Sequence, residues 1–240
     1  TTHPHPTPMK INRRRFFSTS ATAISASALM HTTQSIASNA TPAVGLPDSV
    51  DPAYKIRNRG IRHTLMGWCW KPMDTLELAK HAKEIGLTGI EGIDRKHYPA
   101  VKSLGLEISL VGSHGFSNGP CNPKFRDEVV AKLTDAIDVA ADVGCKKVIT
   151  FTGMRFDGMD PETAAKQCVE TWKSVLSHAE KKNITLVLEH LNSRDSSHPM
   201  KGHPGYFGDN VDFCVELINR VGSASFKPVS YTNLTLPTIL

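Results

Sequence analysis

Between Ile61 and Lys227 short apolar runs alternate with amphipathic stretches, and this rhythm more than any other feature limits what the 240-residue chain can fold into. Arg62 to Trp68, Gly89 to Ile93, Glu107 to Val111, Lys147 to Phe151 and Thr185 to Glu189 read as strands. Between the first two, Asp74 caps a helix whose apolar positions Leu76, Leu78, Ala79, Ala82 and Ile85 lie mainly on one face, and Gly86 ends it. Tyr98 to Leu104 is a short helix, and Arg126 to Val143 a long amphipathic one closed by Gly144. Asp160-Pro161-Glu162 opens the next with proline at its first position, and it runs to about Lys182. A long polar loop leads to a helix over Asp209 to Val221, and Ser225-Phe226-Lys227 begins a sixth strand. Repeated βα units predict an α/β fold with a parallel sheet and covering helices. The first βα turn, Trp68-Cys69-Trp70-Lys71-Pro72, lacks the glycine fingerprint of dinucleotide binding, and no glycine-rich phosphate loop occurs. A TIM (β/α)8-type barrel is therefore favoured over a doubly wound sheet. An intact barrel takes about 250 residues, so the expectation is a barrel truncated at its C-terminal side after about five βα units.

The two ends of the chain read differently from its middle. Residues 1–40 carry Lys10, Arg13, Arg14 and Arg15 and no acidic group. Asn12-Arg13-Arg14-Arg15-Phe16-Phe17, a Ser/Ala/Thr-rich apolar stretch and small residues through Ala40 predict a twin-arginine-type signal peptide, with Thr1 to Pro8 an upstream extension. The expected partner is the twin-arginine export machinery, and the expected location periplasmic or exported. The apolar stretch is too short and hydroxyl-rich to span a bilayer. Residues 41–60 read as a linker, 61–227 as the partial barrel, and 228–240, which contain no charge and break the rhythm, as a non-native adapter-like tail. The formal net charge of +5 falls almost entirely in the first forty residues, so no basic face is left for a nucleic acid. Cys69, Cys121, Cys145, Cys168 and Cys214 show no C-x-x-C pair, which argues against a zinc cluster or a disulfide framework, while an exported location leaves one disulfide possible.

The chemistry concentrates where the fifth strand ends, at Leu186-Val187-Leu188-Glu189-His190-Leu191-Asn192-Ser193-Arg194-Asp195. In a parallel α/β protein a buried strand delivers catalytic groups to the open end of the sheet. A carboxylate buried there needs a cation or several donors, which makes Glu189 a candidate metal ligand or acid/base. Asn192, Arg194 and Asp195 occupy the loop beyond, where substrate contacts or ordinary turn capping are both expected. His190 should point away from the side Glu189 faces. His114 in Gly112-Ser113-His114-Gly115 follows the third strand, and His198 and His203 flank a glycine- and proline-containing loop. Each could hydrogen-bond a substrate oxygen or serve as a cap. Glu91 ends the second strand much as Glu189 ends the fifth, but its strand is short and glycine-flanked. No serine nucleophile elbow and no H-E-x-x-H zinc motif is present.

Leu188-Glu189-His190-Leu191-Asn192-Ser193-Arg194-Asp195, with His203-Pro204-Gly205-Tyr206 and the helix from Val211 to Val221, resembles hydroxypyruvate isomerase and its relatives in the xylose isomerase-like TIM-barrel superfamily. The resemblance covers roughly Arg62 to Lys227. It implies that Glu189 binds a divalent metal (Mg, Mn or Zn) and belongs to a carboxylate pair that shuttles a proton. It implies substrate-facing roles for Asn192, Asp195, His203 and, at the rim of the third strand, His114. The implied activity is that of an intramolecular oxidoreductase of the aldose–ketose type, interconverting hydroxypyruvate and 2-hydroxy-3-oxopropanoate through an enediol. The alternatives are a sugar epimerase on the same barrel and a non-catalytic periplasmic sugar-binding protein. The family's remaining metal ligands and second carboxylate lie on later strands and have no match after Lys227, so an inactive fragment is expected. Substrate identity, metal identity and oligomeric state stay open.

Overall fold

Apolar residues on both faces of a strand leave it no choice but burial between two layers, and that is where the apolar runs at 147–150 and 185–189 lie. The computed structural model describes residues 53–57, 60–197 and 202–231; the signal-peptide segment, most of the 41–60 linker, His198 and tail residues 232–240 lie outside them. Six strands are described: β1 (Thr64–Met66), β2 (Gly89–Glu91), β3 (Glu107–Ile108), β4 (Lys147–Thr150), β5 (Thr185–Glu189) and β6 (Phe226–Val229). They pair in parallel in the order β1-β2-β3 and β4-β5-β6. A parallel bridge between Val111 and Val148 joins the two sets, with Val111 N–H donating to Lys147 O at 3.0 Å and Ile149 N–H to Val111 O at 3.1 Å. Sequential parallel neighbours linked by helices are the βα rhythm of the sequence, drawn as a partial TIM-type barrel.

The helices are α1 (Thr75–Ile85), α2 (Tyr98–Ser103), α3 (Arg126–Val143), α4 (Pro161–Lys181) and α5 (Val211–Val221). Asp74 caps α1 by accepting from Leu76 N–H and Glu77 N–H, and left-handed Gly86 and Gly144 end α1 and α3. The ends that differ from the sequence expectation have local causes. The first strand stops at Met66 because Gly67–Trp70 forms a 3-10 turn. The third shrinks to two residues and resumes only as the bridge at Val111. The last helix begins at Val211 because Asn210, not Asp209, supplies the cap to Phe213 N–H. The sixth strand continues through Val229, in register with Glu189, two residues past the boundary expected at Lys227.

Side-chain alternation sorts the core into two parts. Ile90, Val148, Leu186 and Leu188 pack outward against helix residues such as Leu133, Ile137, Trp172 and Leu217. Leu110, Ile149, Phe151, Val187 and Tyr206 form a second cluster on the inner side. No helix among the described residues is long and apolar enough to cross a membrane. All five cysteines are free thiols, so the disulfide left open by the sequence is not formed.

Just beyond the ends of β3 and β4 the backbone crowds itself. Gly153 has φ +102°, and a Cβ there would sit 2.7 Å from Gly119 Cα and 2.9 Å from Cys121 Sγ. Neither the conformation nor the space admits a side chain. Gly153→Ala is expected to lower the unfolding free energy by about 2–4 kcal/mol, read by urea denaturation; a loss under about 0.5 kcal/mol would show that the two loops separate freely.

Candidate active site

The same alternation that builds the inner cluster aims two carboxylates at one space. Val187 is inward, so Glu189, two residues on at the last position of β5, is inward as well. Ile90 packs outward, so Glu91 at the end of β2 faces in. Both line a cavity of about 1510 Å³ at the carboxyl ends of the strands. Its walls are largely apolar and aromatic, with Trp68, Phe116, Phe151 and Met154 among them. Phe116 meets Phe151 edge-on at 6.5 Å between ring centroids.

Burial pushes the Glu189 carboxyl up to about 7, and the charge of Glu91 adds to the rise. Among the described residues, neither a hydrogen bond nor a cation offsets these two effects. Glu91 is steadied differently, since Ser109 Oγ donates to its Oε2 at 2.9 Å. Glu189 is thus poised to exchange a proton near neutrality beside a second carboxylate. Such pairs mark acid/base sites.

The candidates named from sequence separate into two groups. Asn192 and His203 join Glu189 on the cavity wall. They are tied together through His203 N–H donating to Asn192 O at 2.6 Å, and the His203 ring meets Phe116 edge-on at 4.4 Å. Asp195 does not line the cavity; its carboxylate accepts from Ser197 N–H at 2.9 Å and Ser197 Oγ at 2.6 Å, closing its own turn. His114 is only 7% exposed and sits behind Phe151. Trp172 Nε1–H donates to Thr150 Oγ1 at 2.9 Å, which leaves the Thr150 hydroxyl to donate to His114 Nε2 at 2.9 Å. His114 Nδ1–H then donates to the Asn118 carbonyl, also at 2.9 Å. Burial lowers its pKa to about 4, so the ring stays neutral. The rim role expected for His114 gives way to that of a buried link between the loop after β3, β4 and α4. The His190 ring bonds the Asp209 carbonyl at 3.1 Å.

Trp68, at the end of the first apolar run, is where an aromatic pocket wall could be expected; Phe116 and Phe151 have no such signal, although Phe151 follows Ile149 by two residues and so shares its inward face. Tyr231 also lines the cavity, and it lies in the segment set apart from the barrel on composition. A divalent ion would suit the electrostatics of two carboxylates facing one cavity. Among the described residues no group of three or more His, Cys, Asp or Glu side chains is arranged to hold a metal. Two carboxylates fall short of the three protein ligands of a catalytic zinc site, but they match the one or two carboxylates with which magnesium, keeping several waters, is commonly held.

Solved structures with the same fold are recognisable at low identity. The chain aligns with an AP endonuclease, family 2, from Brucella melitensis at TM-score 0.60 and 19% identity, covering 70% of this chain and 67% of that one. It aligns with D-psicose 3-epimerase from Clostridium cellulolyticum H10 at TM-score 0.54 and 16% identity, over 70% and 62% of the two chains. The IOLI protein with a bound zinc atom aligns at TM-score 0.56 and 13% identity, over 69% and 61%. The chain therefore spans about two thirds or less of these relatives' lengths, and the likeness is one of fold. No curated protein sequence matches. Residues 79–230, more than half of the chain, match the model described as the xylose isomerase-like TIM barrel, and the chain belongs to that family.

Proposed function

We propose that the protein moves a proton between adjacent carbons of a small hydroxy-carbonyl compound, with hydroxypyruvate as the leading substrate. The observation that carries this reading is the pair Glu189 and Glu91 in one aromatic-walled cavity, with Glu189 titrating near neutrality. Ionised Glu189 takes the proton from the hydroxyl-bearing carbon next to the carbonyl, the electron pair moves onto the carbonyl oxygen to give an enediolate, and the hydroxyl proton passes to that former carbonyl oxygen. A carboxylic acid then returns a proton to the neighbouring carbon. For hydroxypyruvate this yields 2-hydroxy-3-oxopropanoate. Developing charge on oxygen needs donors fixed in advance, and Asn192 and His203 are among the polar residues on the wall, with His190, Arg95 and Lys132.

A second reading, epimerisation of a ketose, is favoured by one observation. The cavity of about 1510 Å³ has room for a hexose as well as for a three-carbon acid. The named relatives include D-psicose 3-epimerase, whose structure was determined with D-tagatose. Carboxylates on two different strands could address a carbon from two sides, as inversion requires. The export reading of residues 9–40 belongs to the same proposal and would have the substrate met outside the cytoplasm.

Parallel assays of the full chain on hydroxypyruvate and on ketohexoses, each with added manganese or magnesium, test the assignment. Turnover of hydroxypyruvate would support the first reading against the inactive fragment expected from the sequence; turnover of ketohexoses alone would replace it by the second. Calorimetric sugar binding with no turnover would replace both. Glu189→Gln is expected to lower turnover about 10²–10⁴-fold. As the base form is required, wild-type rate should rise with pH through about 7, and a flat profile between pH 5 and 8 would remove Glu189 from the role of base.

The same substitution should act on stability in the opposite direction. The folded-state pKa of Glu189 lies above its unfolded value, so folding favours the protonated form. The cost of ionising the carboxyl is absent at acid pH, grows as pH rises through the folded pKa of about 7, and is full above it. Glu189→Gln should therefore raise Tm more at pH 8 than at pH 5, measured by scanning calorimetry; an equal change at both would show that burial of the charge costs nothing.

A further inference from the structure

The β4–β5 ladder has its last pair at Thr150 and Leu188, one residue short of Glu189. Beyond that pair one phenol serves both strands. Tyr206 Oη accepts from Thr152 N–H at 3.0 Å and donates to the Glu189 carbonyl oxygen at 2.9 Å. Tyr206 is fully buried, its ring packed in the inner cluster with Val187 and Phe151.

The segment that carries Tyr206 is itself laced to the chain leaving β4. Met154 and Tyr206 form an antiparallel bridge. Arg155 N–H donates to Gly205 O at 2.8 Å, Phe207 N–H to Gly153 O at 2.9 Å, and Gly208 N–H to Thr152 Oγ1 at 2.8 Å. The Arg155 guanidinium grips the Asp209 carboxylate with two bonds of 2.9 and 3.0 Å, and Ser193 Oγ adds a third at 2.6 Å. His203 on the cavity wall lies three residues before Tyr206 on this segment.

We propose that Tyr206 is a positioning residue for Glu189, its buried phenol holding the Glu189 backbone at a fixed distance from β4 where the sheet ladder no longer does. The Arg155–Asp209 pair anchors the segment that presents the phenol, so the carboxylate and His203 share one support. The catalytic consequence rests on the proton-transfer reading above; the support itself does not. Misplacing a reacting group by about 1 Å can cost about 10²-fold in rate, which makes a single hydroxyl worth measuring.

Tyr206→Phe keeps the ring and removes only the hydroxyl. In the full chain, kcat is expected to fall about 10–100-fold with KM within about twofold, because the loss falls on the reacting geometry and not on binding. Amide exchange followed by NMR should quicken about tenfold at Thr152, which loses its acceptor, and stay unchanged at Leu186, whose N–H bonds Ser225 O within the sheet. Arg155→Lys, which breaks the two-bond grip on Asp209 and leaves the phenol in place, should give the same pattern at smaller size, and it decides the matter if Tyr206→Phe does not fold. A raised KM with unchanged kcat overturns the proposal, as does equal quickening at Thr152 and Leu186, which is mere loss of stability. If wild type turns over neither substrate, the functional reading fails by itself. The exchange data then still decide: quickening confined to Thr152 supports the tether, and no change there overturns it.

Discussion

A parallel sheet buried on both faces must satisfy every backbone polar group within itself, and this requirement governs the rest of the molecule. Inside the ladder the strands do it for one another. At the carboxyl ends, where strands diverge and the cavity opens, side chains take over. His114, held through Thr150 Oγ1 to Trp172 of the helix layer, donates to the Asn118 carbonyl in the loop after β3. Tyr206 bridges Thr152 and Glu189 one step further on. Groups that look like loop decoration thus complete the sheet, and the carboxylates stand on what they complete.

The parts of the fold that could be read from the residues are those in which local preference and burial agree. Arg126–Val143 and Thr185–Glu189 have the same limits in sequence and structure, because one has a clean apolar face and a glycine stop and the other an unbroken apolar run. Disagreement came where a short element depends on its surroundings. Trp68 looks like strand but belongs to a 3-10 turn, and half of the expected third strand is held by a single bridge.

The site shows the same division. The place of Glu189 on the cavity wall was legible because a carboxylate ending an apolar run is costly to bury. Asn192 and His203 follow from lying on the loop beyond it. His114 was not legible as a buried link, since nothing in Gly112-Ser113-His114-Gly115 reveals that Thr150 and Phe151 enclose it. Asp195 satisfies its own turn, a competition between loop chemistry and function that spacing cannot resolve. Glu91, ranked lower for its short glycine-flanked strand, owes its place to a partner, Ser109, on the next segment. Tyr206 stands in the quoted motif without a role because its two partners lie 54 and 17 residues away.

The three tryptophans of the chain have an optical consequence. Trp172 is fully buried, hydrogen-bonded to Thr150 and 4.9 Å from Phe226, whereas Trp68 and Trp70 are about half exposed. The molecule therefore contains one blue-emitting indole within its scaffold and two red-emitting ones outside it, of which Trp68 lines the cavity. Emission at the blue end should follow the barrel wall, and emission at the red end the turn after β1 that carries Trp68 and Trp70, with no label attached.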